Sequence, residues 1–572
     1  TDLTIAVDAD VDTLHSTDYS TTVEHDILSQ IYDTLMYMNP DGSHDPEPRI
    51  AESYEISDDG LDYTFHLRND VTFQNGTPLT AKDVKFSLEL CKDSEYQGSM
   101  VTGLDSVETP DDYTVVYHCT TPKPYFDTVA TYACLYPMSQ AMVDELGVKG
   151  VQEMNNETMW YNGCYTMTSY VQGNEKVFTK NPTYWDTECS LFNTVTIKMV
   201  ESNDVAFQLY QTGDVDYVQL GEAQVNTIAK DANNEFHDYL VPDVPSHFSY
   251  QMQFNYNKNK EDGTPDTNWN TAIANEAFRL SWYYGIDFTN YWKRVNAINP
   301  MSCENNFYTM KGLCYTSDGT DYVELVRKEL GLAEENGETP VRIDAEKTAE
   351  YKKQAMEELT ALGVTFPVEI DYYIQGSNQN MLDSANVLKQ TFSDSLGDDF
   401  VKLNILTYVQ SSTQEVYNAK KHSMVVNGWG ADYGDPQNYL GQETYGNDYA
   451  YYTRTLSNIN DVEETEATKV LLDEYKEYTA MVEEANKICD DLDARYEAFA
   501  KAEAYLIDHV LTMPNYYNIG WTLSKINPYS KMKAMYGIQN SKMKNWETNA
   551  NGYTSEEMQE IKEKHDNREA IK

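Results

Sequence analysis

The chain has 572 residues, and its 42 Lys and Arg stand against 93 Asp and Glu for a formal net charge of −51. That balance argues against nucleic acid and anionic lipid surfaces as partners. A hydrophobic content of 41% with 12% aromatics excludes wholesale disorder, and a chain of 572 residues exceeds a single core. About three or four compact units are expected. The 46 tyrosines stand out, since tyrosine is rigid and amphipathic and suits surfaces that recognise ligands. No stretch approaches about 18 consecutive apolar residues, so no segment reads as membrane-spanning. The first residue is Thr1 inside a strand-like run, which reads as a mature or trimmed secreted form.

In chain order, Leu3 to Val7 alternates as a first strand. Glu24 to Leu35 carries Ile27, Ile31 and Leu35 at helical spacing and predicts a helix with one buried stripe. Residues Asn39 to Gly42 form a turn by type. Tyr54 and Ile56 alternate before an Asp-Asp-Gly turn, and Tyr63, Phe65 and Leu67 alternate after it, which predicts a β-hairpin. Thr80-Ala-Lys-Asp83 has the form of a capping box and opens a helix through Val84 to Leu90.

Further on, Asp344 predicts the cap of a helix over Ala345 to Leu362, ended by Gly363. Val368, Ile370 and Tyr372 alternate as a strand. Met381, Ala385, Leu388 and Phe392 form the stripe of a second helix. Val401, Leu403 and Ile405 alternate again, and Met424-Val425-Val426 reads as a buried strand. Strands alternating with helices imply a largely parallel sheet covered on both faces, with ligands beyond the carboxyl ends of its strands. The last 31 or so residues, from Lys542 onward, are charged and predict an exposed, solvated helical tail.

The run Gly428-Trp429-Gly430-Ala431-Asp432-Tyr433-Gly434-Asp435-Pro436 follows that last strand. Glycines let backbone approach closely, the aromatics offer flat faces, and an acid on a rigid turn is a fixed negative charge. Together they suit an amine-bearing ligand, although a glycine-rich surface turn with a chance acid is the simpler reading of these residues alone. Enzyme signatures such as G-x-S-x-G, H-E-x-x-H and G-x-x-x-x-G-K-[ST] are absent. The ten histidines form no metal-like i, i+3 or i, i+4 pairs, and Asp8, Asp10 and Asp12 lack the rest of an EF-hand loop. No metal and no cofactor are expected. The eight cysteines include no C-x-x-C pair; Cys303 with Cys314 is the most local candidate disulfide, and buried free thiols are the alternative.

The segment Ile50 to Leu90, IAESYEISDDGLDYTFHLRNDVTFQNGTPLTAKDVKFSLEL, resembles the signature region of the family 5 extracellular solute-binding proteins, receptors of peptide ABC importers. The resemblance continues through Tyr161-Asn-Gly-Cys-Tyr165, Asn181-Pro-Thr-Tyr-Trp-Asp186, Gln208 to Asp216, Asn275-Glu-Ala-Phe-Arg279 with Tyr284-Gly-Ile-Asp287, and Arg495 to Glu503 with Met513-Pro-Asn-Tyr-Tyr517. It implies an α/β, two-lobed periplasmic-binding-protein-like fold (class II, cluster C type) with an extra subdomain at about 45–170. Lobe I would hold 1–256 and 515–572 and lobe II 257–514, with crossings near Tyr256 and Pro514.

The family's function implies a bacterial lipid-anchored protein outside the cell membrane. It would be a monomer and not an enzyme, capturing oligopeptides by closure and delivering them to an ABC permease. By the same resemblance Asp432 is the anchor for a peptide's α-ammonium. Gly428, Trp429, Gly430, Ala431 and Tyr433 line the groove, while Glu24, His25 and Ile27 supply a loop of the first lobe. Tyr516, Tyr517 and Asn518 supply cleft residues near the second crossing. Positions where relatives carry arginines for a ligand carboxylate are Val426, Thr522 and a place near Tyr417, all uncharged, with Lys420 and Lys421 as possible substitutes. A relative's cysteine is Gly430 here. The same fold with a sugar or chelated-metal cargo, and a glycosidase-type enzyme, are the other classes to weigh.

Overall fold

The structure is a computed structural model, and it describes residues 1–11, 13–18, 21–37, 46–94, 97–131, 135–332, 341–447, 450–531, 535–537 and 541–570. The expected turn at 39–42 lies outside them. The chain divides into two compact units, one of Thr1–Val244, Asp432–Gly434 and Gly520–Lys572, the other of Pro245–Ala431 and Asp435–Ile519. Tyr256 and Pro514 both belong to the second unit. Among the described residues no helix is long and apolar enough to cross a membrane.

The first unit begins with β1 (Asp2–Val7), α1 (Thr22–Ile31), β2 (Ala51–Ile56), β3 (Asp62–Leu67), α2 (Ala81–Lys92), β4 (Leu104–Asp111) and β5 (Thr114–Cys119). It continues through β6 (Tyr165–Tyr170), β7 (Glu175–Lys180), β8 (Thr194–Met199), β9 (Tyr217–Leu220) and β10 (Val241–Pro242). Strands β2-β3-β5-β4 form one antiparallel sheet; β6-β7-β8-β1 form another, in which β1 joins parallel to β8. The hairpin turns at Gly60, whose φ of 71° suits a residue without Cβ. Tyr63, Phe65 and Leu67 are buried at 2%, 0% and 5% exposure as their alternation requires, whereas Ile56 stays 48% exposed. In α2 the Asp83 carboxylate accepts from the Thr80 N–H at 3.0 Å, the expected cap, and also from the Gln140 N–H at 3.0 Å.

Helix α1 stops at Ile31, four residues short of the expected end. The Asn162-Gly163 pair is the cause: the Gly163 N–H donates to the Ile31 carbonyl at 3.1 Å, and the Asn162 Oδ1 accepts from the Asp33 N–H at 2.9 Å. A Cβ on Gly163 would lie 2.6 Å from the Ile31 carbonyl carbon. Cys164 is bonded to Cys189 across 25 residues. Of the two readings of Cys303 and Cys314, a local bridge or buried free thiols, the structure has the buried free thiols.

The second unit carries β11 (Phe248–Phe254), α3 (Glu276–Gly285), α4 (Ala345–Ala361), β12 (Val368–Gln375), α5 (Gln379–Leu396), β13 (Val401–Tyr408), β14 (Met424–Gly430), α6 (Lys469–Asn486), α7 (Leu492–Asp508) and β15 (Met513–Tyr517). Asp344 caps α4 by accepting from the Lys347 N–H at 3.0 Å, and Gly363 follows it with φ 88°. α5 buries Ala385, Leu388 and Phe392. β12 and β13 pair parallel as expected. The sheet holding β14 is antiparallel, in the order β14-β11-β15, so the expectation of a largely parallel sheet is corrected for this part. The reason is long-range pairing: β11 comes from 248–254, far from its partners in sequence, and no local pattern announces which strands it joins.

The chain then returns to the first unit, where β16 (Trp521–Ser524) pairs between β9 and β10. α8 (Ser555–Ala570), expected as a solvated tail, is tethered. Met558 is buried to 2% against Val241 and Tyr553, with Ile561 packed beside them, and the Ser555 hydroxyl donates to the Leu240 carbonyl at 2.7 Å. One apolar side, spaced i, i+3 among charges, suffices to dock it.

Candidate functional site

The glycine-rich stretch is strand before it is turn. β14 runs from Met424 through Gly430, because β11 pairs with it residue for residue from Phe254↔Met424 to Phe248↔Gly430. This register sets Tyr250 across from Gly428 and Phe248 across from Gly430. A Cβ on Gly428 would lie 2.6 Å from the Tyr250 ring, and one on Gly430 would lie 2.6 Å from the His247 ring and 3.1 Å from that of Phe248. The sequence suggests that these glycines admit a ligand backbone; the fold gives them a nearer reason, which is to seat aromatic rings of the neighbouring strand. On the other side of β11, Tyr516 of β15 stacks on Tyr250 at 4.4 Å and 13°, and Tyr291 meets Tyr516 edge-on at 6.2 Å.

Gly428, Trp429 and Gly430 are therefore brought together with Tyr516 and Tyr517 around a strand that sequence reading passed over. Phe248-Ser-Tyr-Gln-Met-Gln-Phe254 alternates apolar and polar residues cleanly, and that alternation was the available signal. Burial pushes His247 down to about 4, so its imidazole is neutral near pH 7, and burial also raises the Tyr250 and Tyr516 phenols above their ordinary value. The Tyr517 hydroxyl is buried with no hydrogen-bond partner among the described residues. Asn518 is half-buried, and its carbonyl accepts from the Ser246 N–H at 3.2 Å.

Trp429 is half-buried, with its indole N–H donating to Asn438 Oδ1 at 2.9 Å and its ring against Tyr452 at 5.6 Å and Tyr451 at 6.2 Å. β14 is an edge strand of its sheet, the geometry an extended peptide uses when it adds a strand, although Tyr452 already donates to the Gly428 carbonyl at 3.0 Å. Ala431 is buried and Asp432 is half-buried. Asp432–Gly434 pack with the first unit: Tyr433 stacks on Tyr125 at 4.3 Å and 7°, and the Gly434 N–H donates to Thr128 Oγ1 at 2.9 Å. Asp435, expected only to shape the turn, is 1% exposed and bound twice at 2.8 Å by the Arg495 guanidinium.

In the first unit, Glu24 sits in the capping box of α1. Its Oε1 accepts from the Thr21 N–H at 3.2 Å and its Oε2 from the Thr13 N–H at 3.0 Å. Ile27 is 1% exposed in the core, and His25 is half-buried on the first turn of the helix. Beside them, Asp26 is pushed up to about 6 by burial.

Most signature residues hold architecture. Asn181 donates to the Gly163 carbonyl at 3.1 Å, and Arg279 donates to the carbonyls of Val510 at 3.0 Å and Ile273 at 2.9 Å. Glu503 accepts from Thr309 Oγ1 at 3.1 Å and the Tyr322 hydroxyl at 3.2 Å. The two lysines considered for a ligand carboxylate are engaged elsewhere, Lys420 with Asp461 at 2.6 Å and Lys421 with Glu261 at 3.1 Å.

A family model described as bacterial extracellular solute-binding proteins, family 5 Middle, matches residues 45–451. The oligopeptide-binding protein SarA of Streptococcus gordonii is 25% identical, over 90% of this chain and 84% of that protein. The oligopeptide-binding protein AliB of Streptococcus pneumoniae is likewise 25% identical, with the same coverage. Among solved structures, the substrate-binding domain of an oligopeptide ABC transporter from Bacillus anthracis superposes with a TM-score of 0.73 at 20% identity, covering 96% of this chain and 98% of that one. Listeria monocytogenes OppA bound to peptide superposes with a TM-score of 0.70 at 20% identity, covering 97% and 99%. The two-lobed α/β periplasmic-binding fold is thereby shown.

Proposed function

The chain belongs to the bacterial extracellular solute-binding proteins of family 5, and from that premise we propose that it is the substrate-binding protein of an ABC importer, capturing oligopeptides by hinge closure between two lobes and delivering them to a membrane permease. The lobes are the two compact units, between which the chain passes at Val244/Pro245, Ala431/Asp432, Gly434/Asp435 and Ile519/Gly520. Ligand contacts from both favour the closed state, and that state is what the permease engages. The protein works as a monomer outside the cell, anchored by lipid, and it turns over no substrate.

The observation that carries this reading is the position of Asp432. It lies two residues past the end of edge strand β14, beside Trp429 in sequence, on a segment pinned by Tyr433 on Tyr125 and by Asp435 on Arg495. A carboxylate held this way is suited to a charge-assisted pair with a peptide's α-ammonium. By the family resemblance Gly428, Trp429, Gly430, Ala431, Tyr433, Tyr516, Tyr517 and Asn518 serve the peptide, with His25 as the contribution of α1, and Glu24 and Ile27 shape that helix from within. Because Lys420 and Lys421 are paired with acids of the chain itself, the peptide's far end finds no free lysine there. Long peptides that leave the cleft, or peptides with neutral C-termini, are the favoured cargo.

Native mass spectrometry of freshly purified protein tests the cargo: a heterogeneous set of peptides supports the reading, and a single sugar or metal complex refutes it. Calorimetric titration then tests the anchor. A peptide should bind at least about tenfold more tightly than its N-acetylated form, and Asp432→Asn should abolish the difference. Equal affinities for wild type would refute the ammonium role.

A further inference from the structure

Three helices of the second unit bring together Glu276 in the first turn of α3, Glu474 on α6 and His509 at the C-cap of α7. One ligand atom from each lies within 4.8 Å of the other two. His509 Nδ1 is 2.8 Å from Glu276 Oε1 and 3.7 Å from Glu474 Oε1.

Glu474 is the telling member. Its side chain is only 6% exposed, and its Oε2 accepts from Arg279 Nη2 at 3.0 Å. Among the described residues its Oε1 is buried and no N–H or O–H group donates to it in hydrogen-bond geometry; it lies instead against the Glu276 carboxylate and 3.7 Å from His509 Nδ1. A buried carboxylate oxygen without a donor is costly, and a metal ion is one of the few groups that can satisfy it. Arg279 does not supply the missing charge to Oε1. Its donors are held by Oε2 and by the carbonyls of Val510, Ile273 and His509.

We propose that Glu276, Glu474 and His509 form a binding site for one divalent zinc ion. One imidazole nitrogen and two carboxylate oxygens are a zinc ligand set, with ligand bonds of about 2.0–2.2 Å and a fourth position for water. Glu276 and His509 are 30% and 31% exposed, which leaves that fourth position and an entry path on the solvent side. The C-cap geometry orients His509, and the Arg279 donation at 3.2 Å to its carbonyl holds the backbone that carries it. The next residue, Val510, has φ 49°, a strained value for a β-branched side chain, and the chain enters β15 at Met513. Zinc here clamps α3, α6 and α7 at the root of the strand that bears Tyr516. Local spacing of histidines hides the site, because its ligands stand 198 and 35 residues apart.

The test uses the whole 572-residue chain, stripped with EDTA, exchanged into chelator-free buffer and titrated with zinc chloride alone, with no peptide present. Bound zinc is counted by atomic emission after gel filtration. About one zinc per chain is expected, with affinity falling at least about tenfold in Glu276→Gln and in His509→Gln and unchanged in the exposed control Glu484→Gln. Circular dichroism confirms that each variant is folded, and the partly exposed Glu276 is the substitution least damaging to packing. Absence of retained zinc in wild type overturns the proposal. So does zinc retained equally by both ligand variants, which marks binding elsewhere on this acidic surface. An anomalous zinc peak between the three side chains would establish it directly.

Discussion

The Asp435 carboxylate and the Arg495 guanidinium meet through two parallel N–H···O bonds of 2.8 Å, with 1% and 0% of their side chains exposed. Asp435 closes the Gly-Trp-Gly-Ala-Asp-Tyr segment, and Arg495 opens the motif at the head of α7. Two stretches that look unrelated in sequence are therefore one structural device. Arg495 also donates to the carbonyls of Asn486 at 2.9 Å and Ile488 at 3.1 Å, so the pair ties the segment after β14 to the turn between α6 and α7.

Removing one partner leaves the other as an uncompensated buried charge. Asp435→Ala should therefore destabilise the protein by about 3–5 kcal/mol. Urea unfolding followed by tryptophan fluorescence measures it. A loss below about 1 kcal/mol, the worth of an exposed pair, would show that the bridge does not hold the segment.

Gly428→Ala places a methyl 2.6 Å from Cε1 of Tyr250. The ring is sandwiched between Gly428 and Tyr516, so it has little room to move, and the substitution should cost about 1–3 kcal/mol. In the Tyr250→Ala background the same substitution should be nearly neutral, because the obstructing ring is gone. Four proteins in a double-mutant cycle decide the matter, and additive effects would sink the explanation.

Glu443 is buried and accepts from the Tyr308 hydroxyl at 3.0 Å on Oε1, with the Gln253 side chain also against its carboxyl group. Burial pushes it up to about 7 from 4.5. Between pH 4.5 and 7 the folded chain keeps a proton that the unfolded chain has released, so its contribution to stability is full below 4.5 and falls as pH rises to 7. The melting temperature should decline across that window for this reason. Glu443→Gln should flatten part of the decline, leaving the part due to the other carboxyls that burial raises, Glu503 to about 7 and Asp26 and Asp321 to about 6. An unchanged slope would count against a neutral Glu443.

The Cys164–Cys189 bond closes a loop of 25 residues at the segment whose Asn162 and Gly163 end α1. Reduction, or Cys164→Ala with Cys189→Ala, should lower stability by about 3 kcal/mol through the added freedom of the unfolded chain. Thermal unfolding with and without reductant reads this directly, and the double variant should be insensitive to reductant.

Much of the candidate site was legible as residues and little of it as geometry. Asp432 and Trp429 stand out in sequence because an acid and an aromatic among glycines form a recognisable local pattern. That the glycines seat Tyr250, His247 and Phe248 was not readable, since cross-strand neighbours depend on register and register spans some 180 residues here. Glu24 shows the same limit: its place near the start of a helix was clear, but the cap that occupies its carboxylate is a matter of three-dimensional distance.

By itself, the sequence determined the periodic elements, the caps at Asp83 and Asp344, the hairpin around Gly60 and the family to which the chain belongs. Each of these is written in short-range spacing, where helix and strand periods act over a few residues. Tertiary structure alone decided the antiparallel company of β14, the pairing of Cys164 with Cys189, the docking of α8 through Met558, and the joining of Asp435 to Arg495. These are selected by burial and charge pairing between residues distant in the chain, and such energies exist only once the backbone has brought the partners within a few ångströms.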